Sequence, residues 1–454
     1  MKELNLQVEQ KYVKKYQAGF PQLVRDMIVN WPKQIAEGQL IRLTSPNQTF
    51  LGKAYYGKQN KGDGWVFSRK EHETLSEEFF RRLLEEAVQN RQALLNDEAT
   101  TAFRLFNGEG DGLGGLTIDF YDGFLLLQWY SAGIYAYQKM FVRAMFDLPF
   151  VKGIYEKKRF LREENTHDFV GGTKPDFPLL VKENGMNYAT YLNDGWMTGI
   201  FLDQRLVRQK IMEEYALGKS VLNTFSYTGA FSVAALYGGA LHTTSVDVAK
   251  RSVAKTSEQL AINGFNPEEQ SILVWDVFEY MKFAKRKEMT FDLVIADPPS
   301  FARTKKITFS VAKDYGTLMR QLIDITAPHG TIIASTNYAN FSLKKFKEII
   351  TEAFQNSKRT FKIRETYQLP SDFKVHPSFP EGNYLKVLIL GDPCFPRRKL
   401  FKSPYFGTGW RPPKTPKKKR PQSKPLWLQK SKPVNKTAIK TIMAPKIEVK
   451  FKPK

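Results

Sequence analysis

The sequence predicts an α/β protein whose largest domain is a doubly wound sheet of mostly parallel strands. Between residues 186 and 391, apolar strand-like runs alternate with segments of helix length, and this alternation favours a parallel sheet with helices on both faces. The five runs are 221–225, 243–247, 271–275, 291–297 and 331–336. Two closing runs, 362–369 and 383–390, are near enough in sequence to pair antiparallel, which would give seven strands.

Residues 1–72 predict a small β-rich domain. Short apolar runs at 38–46, 49–57 and 64–70 are bounded by Gly, Pro and Asn, which commonly form turns. Such short strands with frequent turns indicate a compact β module ahead of the larger domain.

Residues 73–185 predict a mixed α+β middle domain. Apolar side chains recur at helical spacing within 71–95, with Thr74 or Ser76 as a suitable N-cap. A glycine-dense turn, 107–123, then leads into an apolar strand at 124–130.

The positive charge of the chain is concentrated at its C-terminal end. The formal net charge is +23, but residues 397–454 alone hold 19 Lys and Arg side chains and one acidic residue, Glu448. Nine prolines interleave there with lysines without apolar periodicity, which predicts a disordered basic tail over 396–454. Such a tail would bind RNA phosphates regardless of sequence, or act only as a solubilising arm.

Composition excludes several classes of protein. The single cysteine, Cys394, excludes a disulfide framework and any zinc site built from several thiolates. The first residues have no apolar core of the kind found in signal peptides. The longest uncharged stretch, 220–246, contains polar residues and glycines, so no membrane span is expected. We therefore expect a soluble, cytoplasmic protein with no membrane partner.

The ends of the predicted parallel strands carry residues suited to an adenosyl cofactor, because ligands bind doubly wound sheets at the carboxyl ends of the strands. The turn 226–231 lacks the G-x-G-x-x-G fingerprint of dinucleotide sites, but Gly229 permits one close backbone approach. Asp247 suits a bidentate bond to two ribose hydroxyls, and Asp276 could accept from an adenine amino group. Both could also cap the helices that follow.

The segment DPPSF, residues 297–301, follows the fourth strand and forms the most specific pattern in the chain. Proline disfavours helix in the residue before it and has no N–H, so the segment predicts a rigid corner. This corner presents the Asp297 carboxylate, the Pro298 carbonyl and the Phe301 ring, which suit a planar base bearing an amino group.

The chain resembles bacterial S-adenosylmethionine-dependent 23S ribosomal RNA methyltransferases of the class with an N-terminal PUA-type domain. The resemblance covers about residues 10–391 and is carried by RLFNGEGDGLGGLTIDFY (104–121), TGIFLDQR (198–205), VLNTFSYTGAFSVAA (221–235), VDVAKRSV (246–253), DPPSF (297–301) and PEGNYLK (380–386). It implies a class I, Rossmann-like methyltransferase domain over 186–395 and an RNA-binding PUA-like domain over 1–72.

The resemblance also implies a site for S-adenosyl-L-methionine and no metal. The residues it assigns to the cofactor are Gln204, Arg205, Asn223, Ser226, Tyr227, Gly229, Asp247, Asp276 and Asp297. Asp203 belongs to the same segment as Gln204 and Arg205, which flanks the cleft.

Two branches of the family differ in the atom that they methylate. Carbon 5 of cytosine becomes nucleophilic only after a thiolate adds to carbon 6, so that branch requires a cysteine just after the fifth strand. Here the corresponding residue is Asn337, and Cys394 lies beyond the last predicted strand. Guanine N7 already carries a lone pair and needs only positioning. The sequence therefore predicts guanine N7, with cytosine carbon 5 and an exocyclic adenine nitrogen as alternatives.

The predicted catalytic residues are Asp297, Pro298, Phe301 and Asn337. Asn337 would bond the edge of the base, while Phe301 or Tyr338 would stack on its ring. The expected partner is 23S ribosomal RNA or a precursor of the large ribosomal subunit. The oligomeric state is left open and includes a homodimer. The rival functions are a non-catalytic ribosome-assembly factor and, disfavoured by the missing glycine fingerprint, a nicotinamide oxidoreductase.

Overall fold

A computed structural model describes residues 3–161, 168–303, 308–357 and 359–392. The predictions of a disordered basic tail over 396–454 and of a non-catalytic Cys394 lie outside these residues. All the domains described below belong to one compact unit of the chain.

The structure contains both sheets and helices throughout the described residues. The strands are β1 (Leu4–Gln7), β2 (Gln22–Leu23), β3 (Leu40–Thr44), β4 (Phe50–Tyr56), β5 (Gly64–Ser68), β6 (Ala102–Asn107), β7 (Leu116–Tyr121), β8 (Phe124–Trp129), β9 (Gly153–Lys158), β10 (Phe169–Gly172), β11 (Leu179–Glu183), β12 (Met186–Thr190), β13 (Ser220–Thr224), β14 (His242–Asp247), β15 (Ser271–Val274), β16 (Phe291–Ala296), β17 (Phe301–Arg303), β18 (Thr308–Ser310), β19 (Thr326–Thr336), β20 (Lys362–Tyr367) and β21 (Lys386–Gly391). The helices are α1 (Gln10–Gln17), α2 (Glu77–Asn90), α3 (Gln92–Leu95), α4 (Ala132–Tyr135), α5 (Gln138–Phe146), α6 (Arg205–Lys210), α7 (Ala230–Tyr237), α8 (Arg251–Ala261), α9 (Val277–Arg286), α10 (Val311–Asp324) and α11 (Leu343–Ser357).

The N-terminal domain is a five-stranded sheet in the order β1-β3-β4-β5-β2, with α1 against it. The three predicted strands correspond to β3, β4 and β5. The two remaining strands have four and two residues, which is too short for an alternating apolar pattern to show in the sequence.

The middle domain packs α2 and α5 on a second five-stranded sheet, in the order β10-β9-β8-β7-β6. Of the two predicted caps, Thr74 and Ser76, the N-cap of α2 is Ser76, whose hydroxyl accepts a hydrogen bond from the backbone N–H of Phe79 at 3.2 Å. Strand β8 pairs parallel with β9, and α4 and α5 form the crossover between them.

The hairpin of β11 and β12 belongs to the core of the large domain. Val181, Met186 and Tyr188 are buried there among residues of the main sheet and of α7. The domain boundary expected at 185–186 falls in the turn of this hairpin, because the hairpin's register joins Glu183 to Met186. The hairpin thus packs on the main sheet on both sides of the expected boundary, and the boundary itself stays a prediction.

The large domain is a seven-stranded sheet in the order β15-β14-β13-β16-β19-β21-β20. The first five strands in this order are parallel, and β21 pairs antiparallel with both β19 and β20. Along β16, Leu293 and Ile295 face one apolar core while Val294 and Ala296 face the other. Helices thus cover both faces, as the near-continuous apolar strands predict.

The loop between β20 and β21 fastens the three domains together. Its Phe379 ring lies 6.1 Å from Phe20 and 5.5 Å from Trp65 of the N-terminal domain, measured between centroids. Its Asp372 forms an ion pair with Arg205 at the start of α6. This loop thereby fixes the N-terminal domain close to the edge of the sheet where the strands end.

Candidate active site

A cavity of about 360 Å³ lies at the carboxyl ends of the parallel strands. Each of the five strands β13, β14, β15, β16 and β19 is followed by a residue that lines it, as expected for a ligand site on a doubly wound sheet. The predicted site residues on its wall are Gln204, Tyr227, Asp247, Asp276, Asp297, Pro298 and Asn337.

The turn after β13 has a strained backbone. Phe225 and Tyr227 have φ values of 55° and 52°, in a region that non-glycine residues seldom occupy, and Gly229 has a φ of 78°. A Cβ at Gly229 would lie 2.5 Å from Cγ2 of Thr256, so only glycine fits. The segment before α6 holds this turn, because the N–H of Gly199 donates to the Tyr227 hydroxyl at 3.0 Å.

Asp247 at the end of β14 serves both the fold and the cavity. Its Oδ2 accepts from the backbone N–H of Tyr227 at 2.8 Å, and its Oδ1 accepts from that of Ala249 at 2.9 Å. A carboxylate has about four acceptor positions, so lone pairs on both oxygens remain for the two hydroxyls of a ribose.

Asp276 is the N-cap of α9. Its Oδ1 accepts from the N–H groups of Phe278 and Glu279 at 3.0 and 3.3 Å, while no described residue donates to Oδ2. The capping role and an acceptor role towards the cavity are therefore compatible.

Asp297 lines the cavity together with a second carboxylate, that of Asp203. Burial raises the pKa of Asp297 to about 6, hydrogen bonds from the Ser335 and Gln204 side chains oppose that rise, and the nearby Asp203 carboxylate adds to it. Burial also raises the pKa of Asp203, whose Oδ2 accepts from the Tyr384 hydroxyl at 2.9 Å. Two carboxyl groups, one of which titrates near neutral pH, thus share the floor of the site.

Asn337 meets the DPPSF corner at the mouth of the cavity. The Ser300 hydroxyl donates to Oδ1 of Asn337 at 2.6 Å, and no described residue bonds Nδ2. Pro298 lines the wall beside them, whereas Phe301 begins β17, is 62% exposed and lies off the wall. The stacking role expected of Phe301 stays a prediction.

Four other predicted cofactor residues lie behind the wall. Arg205 is paired with Asp372, and Nδ2 of Asn223 donates to the Ser232 hydroxyl at 3.0 Å. Ser226 is buried, and its N–H donates to the carbonyl of Val246. The fourth is Gly229, the N-cap residue that precedes α7. In the described residues, these four residues support the residues of the wall, and their contact with a cofactor stays a prediction.

Several residues on the wall were not predicted from the sequence. Arg251 and Lys255 of α8 line the cavity with Asp247, and their spacing of four residues on one helix could have indicated them. Tyr191, Asp194 and Met197 also line it, but they lie in an irregular segment without periodicity. Only the fold brings that segment to the site.

No helix among the residues described is both long and apolar enough to cross a membrane. Within the same ranges, no three His, Cys, Asp or Glu side chains gather as a metal site would require.

The cavity fits an adenosyl cofactor that bears an ammonium group. Oε1 of Gln204 is buried and has no partner among the described residues, although Nε2 of the same side chain donates to Ser335 at 2.9 Å. A buried acceptor of this kind requires a donor to offset its desolvation. The ammonium group of S-adenosylmethionine would be such a donor, while the roles of Asp247 towards the ribose and of Asp276 towards the adenine stay predictions.

Comparison with known proteins gives a consistent family. Residues 154–376 match the model of S-adenosylmethionine-dependent methyltransferases, and residues 6–69 match that of PUA-like domains. A candidate ribosomal RNA large subunit methyltransferase of Bacillus subtilis strain 168, YwbD, is 51% identical over 85% of this chain and 98% of its own length. Ribosomal RNA large subunit methyltransferase I of Aeromonas salmonicida strain A449 is 30% identical over 78% of this chain and 90% of its own.

A solved structure extends this similarity to the fold. The crystal structure of SMU.776, described as a methyltransferase in complex with S-adenosylhomocysteine, superposes with a TM-score of 0.80 at 42% identity. It covers 86% of this chain and 100% of the other. The protein is thus an S-adenosylmethionine-dependent methyltransferase, and it belongs to the family of ribosomal RNA large subunit methyltransferases with an N-terminal PUA-like domain.

Proposed function

We propose that the protein transfers a methyl group from S-adenosylmethionine to N7 of a guanine in 23S ribosomal RNA. The observation that carries this proposal is Asn337, an amide on the cavity wall directly after β19. A cytosine-C5 enzyme of this family needs a thiol there, and the chain's one cysteine is 57 positions later, at Cys394.

N7 is suited to a site of this composition. S-adenosylmethionine supplies a methyl group on a cationic sulfur, and N7 of guanine offers an unprotonated lone pair. The N7–C bond forms as the C–S bond breaks, and the positive charge passes to the guanine ring without any proton transfer. The protein then has to hold the base in line and stabilise the charge, rather than provide a nucleophile or a base.

Asn337 is oriented to bind the correct edge of the base. Because Ser300 donates to its Oδ1, its Nδ2 is the group left to donate into the cavity. Guanine presents two acceptors, O6 and N7, on this edge. A bond from Nδ2 to O6 would leave N7 open to the methyl group.

Asp297 complements the opposite edge and the charge of the product. A carboxylate can accept from both N1–H and the amino group of guanine, which are the donors of its Watson–Crick edge. With a pKa of about 6, the carboxyl is mostly ionised at pH 7. It would therefore also stabilise the positive charge that develops on the ring.

The proposed substrate follows from the relatives and from the N-terminal domain. Both relatives are named ribosomal RNA large subunit methyltransferases, and the domain matching the PUA-like model contacts Phe379 of the loop between β20 and β21. We place the reaction in the cytoplasm, on 23S ribosomal RNA or a precursor of the large subunit.

Nucleoside analysis of ribosomal RNA from matched deletion and parental strains tests the function. We expect one 7-methylguanosine to disappear in the deletion strain, together with one borohydride–aniline cleavage. The wild-type gene should restore it, and so should the control Asn90→Ala, which changes an exposed amide of α2. Asn337→Ala should restore it poorly, with a kcat/KM about 10- to 100-fold lower in vitro. Loss of 5-methylcytidine or of a methyladenosine instead would refute the choice of guanine N7.

A further inference from the structure

The N-terminal domain makes direct contact with the loop that carries Asn337. Nζ of Lys61 donates to Oδ1 of Asn340 at 2.8 Å, across 279 positions of sequence. Lys61 lies in the tight loop 57–63, closed by a hydrogen bond from the N–H of Gly57 to the carbonyl of Asp63. A residue of the PUA-like domain thus reaches the rim of the catalytic site.

The contact continues through Asn340 to Tyr338. Nδ2 of Asn340 donates to the Tyr338 hydroxyl at 3.2 Å, so one amide joins Lys61 to an aromatic residue adjacent to Asn337. Two further hydrogen bonds hold the loop 337–341 at the backbone of Tyr338. The carbonyl of Tyr338 accepts from the N–H of Phe341 at 3.1 Å and from Nζ of Lys386 at 3.3 Å.

The chemistry of Lys61 is unusual for a purely structural contact. Its ammonium group is exposed, and its partner is a neutral amide rather than a carboxylate. Among the described residues, neither Lys61 nor the exposed Lys58 of the same loop forms an ion pair. An ammonium group has three donors, and Asn340 uses one of them, so two donors and a full charge face solvent.

A phosphodiester backbone fits this position. A base that enters a cavity for methylation must leave its stack, and its flanking phosphates then lie at the mouth of the cavity. Ammonium groups bind such phosphates regardless of sequence. At the rim of the cavity, Lys61 supplies a positive charge for the phosphates. Tyr338 adds an aromatic ring beside it, and Asn340 adds an amide.

We propose that Lys61, supported by Lys58, binds the RNA backbone beside the target nucleotide and, through Asn340, positions the loop 337–341. The N-terminal domain would then form part of the substrate site itself, beyond tethering the RNA. This inference rests on the proposed function in one respect, namely that the substrate is RNA.

Substitution of Lys61 tests the phosphate contact. Binding of a 23S ribosomal RNA transcript is measured against salt concentration for Lys61→Gln, Lys61→Arg and the control Lys14→Gln. Lys14 is an exposed lysine of α1 whose side chain has no partner among the described residues. We expect Lys61→Gln to weaken binding severalfold and to lower the slope of log K against log salt by about 0.7, the value for one contact to a single strand. Lys61→Arg should retain most of the affinity and most of the salt slope. Equal affinity and slope for Lys61→Gln and Lys14→Gln would overturn the proposal.

Asn340→Ala tests the positioning role separately. It removes the bridge to Tyr338 but leaves the lysine charge, so kcat should fall severalfold while RNA affinity and S-adenosylhomocysteine affinity stay within twofold of wild type. An unchanged kcat would overturn the positioning role. These outcomes do not depend on which base is methylated. If nucleoside analysis identifies a product other than 7-methylguanosine, guanine N7 is refuted and the test of Lys61 stays valid. If Lys61→Gln binds RNA as the control does, the inference about Lys61 is refuted and the proposal of guanine N7 is unaffected.

Discussion

Arg205 and Asp372 form a buried, bidentate ion pair that joins the start of α6 to the loop between β20 and β21. Nη2 of Arg205 lies 2.6 Å from Oδ1 of Asp372, and Nη1 lies 3.2 Å from Oδ2. The same aspartate accepts from the backbone N–H of Arg104, and its carbonyl accepts from Arg91, which is itself paired with Asp111. The middle domain, α6 and the loop between β20 and β21 therefore meet at Asp372.

Arg205→Met should destabilise the protein without direct loss of cofactor contacts. It leaves the Asp372 carboxylate buried with one partner fewer, and breaking a buried pair on one side costs about 3–5 kcal/mol. Denaturant unfolding measures the loss, and calorimetry with S-adenosylhomocysteine on the folded variant should show a change in Kd of less than about threefold. The control is Arg286→Ala, at an exposed arginine of α9, which should change the free energy of unfolding by less than about 0.5 kcal/mol. A folded variant that has lost cofactor binding would return Arg205 to the cofactor site.

Gly229→Ala should loosen the turn after β13. The φ of 78° is strained for alanine, and the new Cβ would lie 2.5 Å from Cγ2 of Thr256, so we expect a loss of about 1–3 kcal/mol. Cofactor affinity should fall with it, because Tyr227 and Asp247 meet in this turn. Adding Thr256→Ser removes the clashing methyl group and should recover part of both losses, while Thr256→Ser alone serves as the control. If the double variant recovers neither stability nor cofactor affinity, both losses are caused by the positive φ at position 229 and not by the clash with Thr256.

The architecture of the large domain was predictable because its signals are local. Each parallel strand is an apolar run, and each of three is followed by an acid, Asp247, Asp276 or Asp297, at or just past its end. Parallel strands end at the same edge of a sheet, so their acids converge without any knowledge of distant contacts. Asn337, after β19, is identified instead through the resemblance to the family, whose cytosine-C5 branch carries a cysteine at the corresponding position.

The parts that sequence patterns missed depend on distant contacts. The partner of Arg205 lies 167 positions away, in a loop with no periodicity, so the ion pair that holds Arg205 could not be predicted. Likewise, nothing local links Lys61 to Asn340. The hairpin of β17 and β18, which carries Phe301 off the wall, has strands of three residues, too short to show as a pattern.

Lys386→Met should slow catalysis while leaving the cofactor bound. Lys386 is 4% exposed, and Nζ donates to the carbonyls of Tyr338 and Tyr384, at 3.3 and 3.0 Å. Methionine fills similar space without these bonds, so the loop of Asn337 loses an anchor. We expect kcat to fall about tenfold, which corresponds to the loss of one or two hydrogen bonds, with the Kd for S-adenosylhomocysteine unchanged. The matched control is Lys362→Met, at an exposed lysine of the neighbouring β20. A Kd that rises along with the loss of kcat would indicate general damage to the cavity instead.

Asp297→Asn should make the protein less sensitive to pH. The folded-state pKa of Asp297 is raised from 3.8 to about 6, mainly by burial, so the folded state holds a proton that the unfolded state has released between these values. The free energy of unfolding of the wild type therefore falls as pH rises from about 4 through 6, whereas asparagine has no charge to bury. The free energy of unfolding of the variant should therefore increase relative to that of the wild type as pH rises, by up to about 2–3 kcal/mol at pH 7.

Denaturant unfolding at pH 4, 5, 6 and 7 measures this difference, since the titration of groups that do not interact with position 297 cancels between the two proteins. Asp26→Asn, which removes an exposed carboxylate of the N-terminal domain, is the control. The cofactor provides an independent check. S-adenosylmethionine adds a positive charge to the cavity and favours the ionised carboxyl, so its affinity for the wild type should rise between pH 5 and 7. S-adenosylhomocysteine lacks the sulfonium charge and should show a weaker rise. Equal pH dependence for the two ligands, or a stability difference that is flat from pH 4 to 7, would mean that Asp297 is solvated rather than buried beside the transferred methyl group.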